Sequence, residues 1–418
     1  MKVRDWQLSN ANIVFPDSVK GPAGIIIASG KISKITEPGE GNPELLNLNL
    51  NGLNVYPSLI NSFDTLLDTY DFVRGGNWPY TNWLAYDNEV KLSQTFQEKM
   101  MFDARTLYLL GSYKNLLGGS VFVVDHIPHF VRLPFQDNLP VSLLKDFGIS
   151  HSVCSYSPEW GEGIEKEYEK AERLNIPFIV RIGEGFDPES VSSLQRLKKE
   201  GGLGPNTVLV NCLSLSDQDI LDIRRAESSV TWCPTSTRML YEESPPIQKL
   251  LDAGVNICIG SDNSMRGSSG MLNELHSAVS MFQDEPGFQL SHAEVFRMAT
   301  ENAVKALKIK DRGEIKKNSF ADFLVLSGRS KNPYSSITAA KASDIFLLVH
   351  NGLPLLGDIS LERIFQEMKI PCEKIIVDET TKLIVEGIGD MLEQINRTLK
   401  YKKDRVFLPV KMSEQDEF

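Results

Sequence analysis

The middle of the chain, about residues 56–310, alternates short apolar runs with longer segments of helical periodicity. Uninterrupted apolar runs are typical of strands buried on both faces, and their alternation with helices indicates βα units around a parallel sheet. A chain of 418 residues is long enough for one large barrel of such units and a smaller attached module. The predicted strands lie at 121–124, 176–180, 207–210, 229–232 and 255–259, and three of the predicted helices at 190–200, 217–226 and 246–253.

Both flanks of this middle region contain further strand-like segments. The apolar stretches at 25–27 and 32–35 surround Ser29-Gly30, which predicts a hairpin with its turn at that pair. Residues 322–326 and 345–352, near the other end, are also strand-like. We therefore predict one small β-sandwich made from residues 1–55 and 316–357, a barrel over 56–315, and a helical extension over 358–418.

Composition and charge exclude several classes of partner. The net charge of −11 argues against binding to a nucleic-acid backbone. The five cysteines form no CxxC pair, the first residues contain no apolar signal core, and no stretch approaches the length of a membrane span. We therefore expect a cytoplasmic protein that binds neither nucleic acid nor membrane.

Polar residues directly follow the predicted strands, at the end of a parallel barrel where functional groups lie. The set includes acids, one arginine, one asparagine and one histidine, so we expect a polar pocket to open there. These residues are found at 62–65, Asp125-His126, 181–184, Asn211-Cys212 and Asp262.

Nine short segments then occur in an order that resembles the amidohydrolase superfamily, in the group of cytosine-deaminase-related and other metal-dependent C–N hydrolases. The resemblance implies a (β/α)₈ TIM-type barrel, a bound zinc or iron ion, and hydrolysis of non-peptide C–N bonds. The segments are YPSLINS (56–62), RIGEG (181–185), VLVNC (208–212), WCPTST (232–237), LDAGV (251–255), IGSD (259–262), ATENA (299–303), GEI (313–315) and ADF (321–323).

This chain departs from the family pattern at the metal ligands. The resemblance implies His-x-His at the end of the first strand, where this chain has Phe63-Asp64-Thr65, and histidines at the positions of Arg181 and Asn211. Only the general-base position, Glu184, and the eighth-strand acid, Asp262, are retained. A catalytic zinc needs about three protein donors, whereas phenylalanine has none and arginine is permanently charged. We therefore expect no metal cofactor.

Two functional interpretations stay open. In the first, the chain is a degenerate amidohydrolase that has lost metal-dependent chemistry and binds a small molecule or a partner. In the second, it is an active C–N hydrolase that works without a metal, or with one held by unusual ligands such as Asp64, Asp125, Glu184 and Asp262. Glu184 and Asp262 are the candidate catalytic residues in either case. The oligomeric state also stays open, with a homodimer as one alternative because many relatives are dimers.

The remaining pocket residues are expected to be Arg181, Asn211, Phe63, Thr65 and His126. We predict that Arg181 contacts Asp262 directly or through one residue or water, with Glu184 or Asn211 joining the network, because Asp262 needs a cation once the metal is lost. Such a pair either plugs the old site or creates an anion-binding pocket. The aromatic segment at 78–83 either covers a ligand or packs as a loop.

Overall fold

The computed structural model describes residues 4–282, 288, 290–328 and 332–413. Strands and helices alternate through the middle of the described chain, and strands dominate both ends. The strands are β1 (Trp6–Val14), β2 (Val19–Ala28), β3 (Lys31–Thr36), β4 (Leu46–Asn49), β5 (Asn54–Pro57), β6 (Leu59–Asp64), β7 (Ser120–Asp125), β8 (Ser142–Leu143), β9 (Gly148–Ser152), β10 (Phe178–Ile182), β11 (Thr207–Asn211), β12 (Ser229–Trp232), β13 (Asn256–Ile259), β14 (Phe323–Leu326), β15 (Ile345–His350), β16 (Leu353–Asp358), β17 (Cys372–Val377), β18 (Thr380–Val385) and β19 (Val410–Met412).

Most of the helices lie in the segments between and directly after the parallel strands, and three lie farther along the chain, after β14. They are α1 (Trp83–Lys91), α2 (Gln94–Lys99), α3 (Ala104–Leu117), α4 (His129–Arg132), α5 (Ile164–Leu174), α6 (Pro188–Val191), α7 (Ser193–Lys199), α8 (Asp217–Arg225), α9 (Pro234–Tyr241), α10 (Ile247–Asp252), α11 (Met271–Ser280), α12 (His292–Met298), α13 (Glu301–Ala306), α14 (Pro333–Ala339), α15 (Glu362–Glu367) and α16 (Ile388–Leu399).

The middle of the chain forms two parallel sheets, as its alternating pattern predicts. One contains β9 to β13 in chain order, and the other contains β6, β7 and β8. Strand β6 lies beside β13, because Asp64 forms a parallel bridge with Asp262 and the Ser261 and Asp262 amides donate to the Phe63 carbonyl at 2.9 and 3.0 Å. Thus eight parallel strands bring their carboxyl ends to the same side of the molecule.

The local sequence explains these elements. Every residue of β10 and β11 is buried, which accounts for their continuous apolar runs. Helix α8 begins with a capping box between Ser216 and Asp219, and it buries Ile220 and Ile223 on one face. The predicted strands and the helix at 217–226 match the observed elements to within two residues, whereas the predicted helix at 190–200 is divided into α6 and α7.

The two ends of the chain meet in one eleven-stranded sheet. Its order is β19-β17-β18-β16-β15-β14-β5-β1-β2-β3, with β4 beside β1. Antiparallel pairing of β5 with β14, in which Tyr56 lies opposite Leu324, joins the amino-terminal strands to the carboxyl-terminal ones. The hairpin at Ser29-Gly30 is confirmed, and both turn residues have positive φ. The predicted domain limits and the sandwich description stay predictions.

The segment after residue 357 is not purely helical, so that prediction is wrong. Helices α15 and α16 lie within the predicted helical extension, but β17 and β18 form a hairpin between them and β19 adds a third strand. The apolar residues of β17 are β-branched, and the turn residues Asp378 and Glu379 both have positive φ, as type I′ turns require. In the part of the chain that the structure describes, none of the helices has the length and apolarity needed to cross a membrane.

Candidate functional site

A cavity of about 490 Å³ opens at the carboxyl ends of the parallel strands. Two of the predicted site residues, Thr65 and Arg181, line this cavity. The other wall residues come from the loop and helices that follow β6, from the segment after β7, from β9 and the loop after it, and from the turn after β13. Among them are Asp68, Trp83, Tyr86, Asp87, His151, Tyr156, Trp160, Asn263 and Arg266.

Arg266 is the centre of a buried ion-pair network beside the cavity. Its Nη1 donates to Asp262 Oδ2 at 2.9 Å and to Glu184 Oε1 at 3.1 Å. Asn211 Nδ2 donates to the same Glu184 oxygen at 2.7 Å. Although burial lowers the pKa of Arg266, the charges of Asp262 and Glu184 hold it well above its usual value. The retained acids Glu184 and Asp262 are therefore paired with a permanent cation.

Backbone geometry at the strand ends places these side chains. Asn211 and Asp262 have φ values of 72° and 57°, a left-handed conformation that asparagine and aspartate tolerate better than other residues with a Cβ. After Asp262 the chain makes a short 3₁₀ turn, which Asn263 caps by accepting from the Arg266 amide at 3.1 Å. This turn brings the Arg266 side chain back to Asp262, four residues earlier.

The predicted contact between Arg181 and Asp262 is wrong, because Arg266 takes that position. Arg181 Nη1 lies 3.9 Å from Glu184 Oε2, and its guanidinium lies 5.4 Å from the centre of the Phe63 ring. Glu184 and Asn211 do share one network with Asp262, but its cation is Arg266 and not the predicted Arg181. Arg266 is a site residue that was not predicted from the sequence, although it stands only four positions after Asp262.

The other predicted pocket residues pack around this network. The Phe63 ring centre lies 5.0 Å from that of His126, and both side chains are fully buried. His126 Nε2 contacts the Ile179 carbonyl at 3.2 Å. Burial, helped by the Arg181 charge, lowers the pKa of His126 to about 3, so its imidazole is neutral. The Thr65 amide donates to the Asp262 carbonyl at 2.8 Å and holds β6 against the turn after β13.

The two further acids considered as unusual metal ligands have protein partners instead. Asp64 accepts from Lys114 Nζ at 3.0 Å and from Asn115 Nδ2 at 2.8 Å, so it points toward α3. Asp125 accepts from the Leu66 amide and the Tyr108 hydroxyl, both at 3.0 Å. Burial raises the pKa of Asp125 to about 7.

Part of the chain is similar in sequence to known proteins. A sequence model of the Amidohydrolase family matches residues 179–352. A 5-methylthioadenosine/S-adenosylhomocysteine deaminase of Caldicellulosiruptor saccharolyticus is 26% identical over 249 residues, covering 54% of this chain and 56% of the relative. A 5'-deoxyadenosine deaminase of Methanothermobacter thermautotrophicus is 31% identical over 192 residues, covering 43% and 44%. These matches support membership of the amidohydrolase superfamily. The chain spans about half the length of these curated relatives.

Solved structures support an amidohydrolase-type α/β fold. An adenosine deaminase from Xanthomonas campestris with bound zinc superposes with a TM-score of 0.70 at 16% identity, over 95% of this chain and 98% of that one. A guanine deaminase from C. acetobutylicum with bound guanine gives a TM-score of 0.63 at 17% identity, over 84% and 100%. The predicted α/β class is thus supported.

The residues at the amidohydrolase metal positions do not fit zinc or iron. Phe63 offers no donor atom, and two guanidinium groups, those of Arg181 and Arg266, lie against the retained acids. Among the described residues, no group of three or more His, Cys, Asp or Glu side chains is arranged to hold a metal ion.

Aromatic side chains form one wall of the cavity. The ring centre of His151 lies 4.8 Å from that of Trp83 and 4.6 Å from that of Trp160. Burial and the Arg181 charge hold the pKa of His151 well below its usual value, so this ring is neutral. Within the aromatic segment at 78–83, Trp83 lines the cavity, whereas Trp78 packs in the loop and donates to the Met239 carbonyl at 2.6 Å. Contact of this segment with a ligand stays a prediction.

Proposed function

We propose that this chain binds a small organic molecule in the cavity and does not catalyse metal-dependent deamination. The observation that carries the proposal is the position of Arg266, whose guanidinium hydrogen bonds to both Asp262 and Glu184. In the family pattern these two acids serve a metal ion and its water. An arginine cation cannot lower the pKa of a bound water as zinc does, from about 15.7 to about 7, so the hydroxide nucleophile is not formed.

Binding is supported by the size and chemistry of the cavity. A volume of about 490 Å³ lies within the usual range for ligand sites, and aromatic rings with a few charged groups are typical linings. The proposal includes closure of β6 to β13 into a (β/α)₈ barrel, which the neighbouring positions of β6 and β13 support. It also includes a cytoplasmic location, supported by five unpaired cysteines.

Metal content and turnover measured on the same purified protein test this proposal. We expect substoichiometric zinc and iron by mass spectrometry, and no ammonia release from 5'-deoxyadenosine or 5'-methylthioadenosine with or without added zinc. The Methanothermobacter deaminase, assayed in parallel, is the positive control. Stoichiometric metal together with ammonia release that a chelator abolishes would overturn the proposal and favour the active C–N hydrolase. Light scattering on the same sample decides between a monomer and a homodimer.

A further inference from the structure

Arg181 is a buried cation with no side-chain hydrogen bond to the described part of the chain. Its side chain is only 5% exposed, and its guanidinium donates to none of the residues that the structure describes. The nearest carboxylate oxygen, Glu184 Oε2, lies 3.9 Å away, which is too far for a hydrogen bond. Arg181 Nε is buried and has no acceptor. Such a group is costly to bury unless something else satisfies its donors.

Other buried cations in the chain differ from Arg181 in this respect. Arg266 donates to two carboxylates, and Lys114 Nζ donates to Asp64 at 3.0 Å. Lys382 Nζ donates to the Ile345 carbonyl at 2.9 Å. Arg132 and Arg405 also have a buried Nε without an acceptor, but each donates through an Nη atom. Among the buried lysines and arginines that the structure describes, Arg181 is therefore the one whose charged group makes no hydrogen bond, and it lines the cavity.

The acids in the cavity wall leave Arg181 available. Asp87 pairs with Lys91 at 2.6 Å, and Asp68 pairs with Lys99. Each of these carboxylates therefore has its own lysine. A ligand anion that accepts a hydrogen bond from Arg181 would lie closer to the guanidinium than Glu184 does. The attraction between the anion and Arg181 would therefore exceed the repulsion between the anion and Glu184.

The cavity also has an aromatic wall that a planar ligand could contact. Trp83, His151 and Trp160 lie with neighbouring ring centres 4.6–4.8 Å apart and line the same cavity as Arg181. Aromatic side chains at this spacing favour offset or edge contacts with a further planar ring. Because His151 is neutral, it adds no second cation to this wall.

We infer that the cavity binds a planar aromatic or heteroaromatic carboxylate, with its carboxylate paired to Arg181 and its ring against Trp83, His151 and Trp160. This inference rests on the proposed function and specifies the chemical class of the ligand. A guanidinium presents two parallel N–H groups that match both oxygens of a carboxylate, so a bidentate pair would use the donors that the protein leaves free.

Calorimetric titration of the full chain with matched probes tests the inference. The probes are indole-3-carboxylate, its neutral carboxamide, and cyclohexanecarboxylate, which keeps the charge but lacks the planar ring. We expect the indole carboxylate to bind about tenfold more tightly than the carboxamide, the effect of one charge-assisted hydrogen bond. It should also bind more tightly than cyclohexanecarboxylate.

Substitutions in the cavity wall test which residues cause these preferences. Arg181→Gln should remove the preference for carboxylate over carboxamide, and Trp160→Leu should remove the preference for the planar ring. Arg225→Gln, on an arginine that is 73% exposed on α8, is the matched control and should change neither preference. If circular dichroism shows that Arg181→Gln does not fold, the comparison of the three probes in the unaltered chain still tests the inferred ligand class.

Three results would overturn the inference: equal affinity for carboxylate and carboxamide, an unchanged preference in folded Arg181→Gln, or no binding by any probe. Each can occur in a metal-free protein without deaminase turnover. Failure of the ligand class is therefore distinguishable from failure of the proposed function, which depends on metal content and ammonia release.

Discussion

Asp262 Oδ2 accepts a hydrogen bond at 2.9 Å from Nη1 of Arg266, a residue four positions later in the same chain. The acid that the family pattern assigns to the metal is thus neutralised by a cation that the chain itself supplies. Glu184, the other retained acid, shares this guanidinium. In this network the Arg266 guanidinium replaces the metal ion that the family pattern implies. We therefore expect that neither added metal nor a chelator changes the stability of the protein.

Replacement of Arg266 tests how much this network stabilises the fold. Arg266→Met leaves two buried carboxylates without their cation, so we expect the free energy of unfolding to fall by roughly 3–5 kcal/mol. Urea denaturation provides the measurement. Arg225→Met, on the exposed surface 3.9 Å from Asp222, should cost no more than about 1 kcal/mol. Equal effects of the two replacements would show that the network contributes little.

Restoring the family histidines should not by itself restore a zinc site. The variant Phe63→His, Thr65→His, Arg181→His and Asn211→His still contains Arg266, whose positive charge repels a second cation near Asp262. We expect zinc binding, measured by calorimetry, only after Arg266→Ser is added to these four replacements. Tight zinc binding by the fourfold variant would show that Arg266 moves aside easily.

The buried acids Asp125 and Glu274 predict a pH-dependent effect of their amide variants. Burial raises the pKa of each to about 7, above the value in an unfolded chain, so each stabilises the fold below about pH 4 and loses this contribution as the pH rises to 7. Between pH 5 and pH 8, the free energy of unfolding of Asp125→Asn should therefore rise by about 2–3 kcal/mol relative to that of the unaltered chain. Glu274→Gln should change in the same direction.

The variant is compared with the unaltered chain because buried histidines change the stability with pH in the opposite direction from the buried acids. His126 has a pKa lowered to about 3 by burial, so its contribution to stability is lost as the pH falls below about 6.5. The free energy of unfolding of Asp125→Asn is measured by denaturation at pH 5 and pH 8. The control is Glu200→Gln, which replaces an exposed carboxylate. A constant difference between Asp125→Asn and the unaltered chain would contradict the prediction.

The Asp64–Lys114 pair provides a second test of buried charge. Both side chains are fully buried, and Lys114 Nζ lies 2.9–3.0 Å from the two Asp64 oxygens. Lys114→Met should reduce the free energy of unfolding by roughly 3–5 kcal/mol because an unpaired carboxylate remains. Adding Asp64→Asn should recover part of this loss in chemical denaturation. No recovery in the double variant would show that the loss comes from packing of the lysine stem.

The sequence predicts the parallel strands well because burial on both faces leaves an apolar run that local inspection detects. The sequence also predicts that Arg181, Glu184, Asn211 and Asp262 lie at one end of the fold, since each lies at or just after the carboxyl end of a strand. It does not identify Arg266 as the partner of Asp262, because that contact depends on a short turn and on where a long side chain points. It also missed the β17–β18 hairpin, whose alternating pattern is short and lies between two amphipathic helices.

The pairing of β5 with β14 has a consequence for the order of events during translation. The amino-terminal strands leave the ribosome with the edge of β5 unpaired, and Phe323–Leu326 must be synthesised before that edge is covered. At about 5–20 residues per second, the interval is on the order of 10–50 s. The parallel strands between them are complete within this interval. The sheet that contains β1 to β5 is therefore completed only after the parallel strands that follow it in the chain.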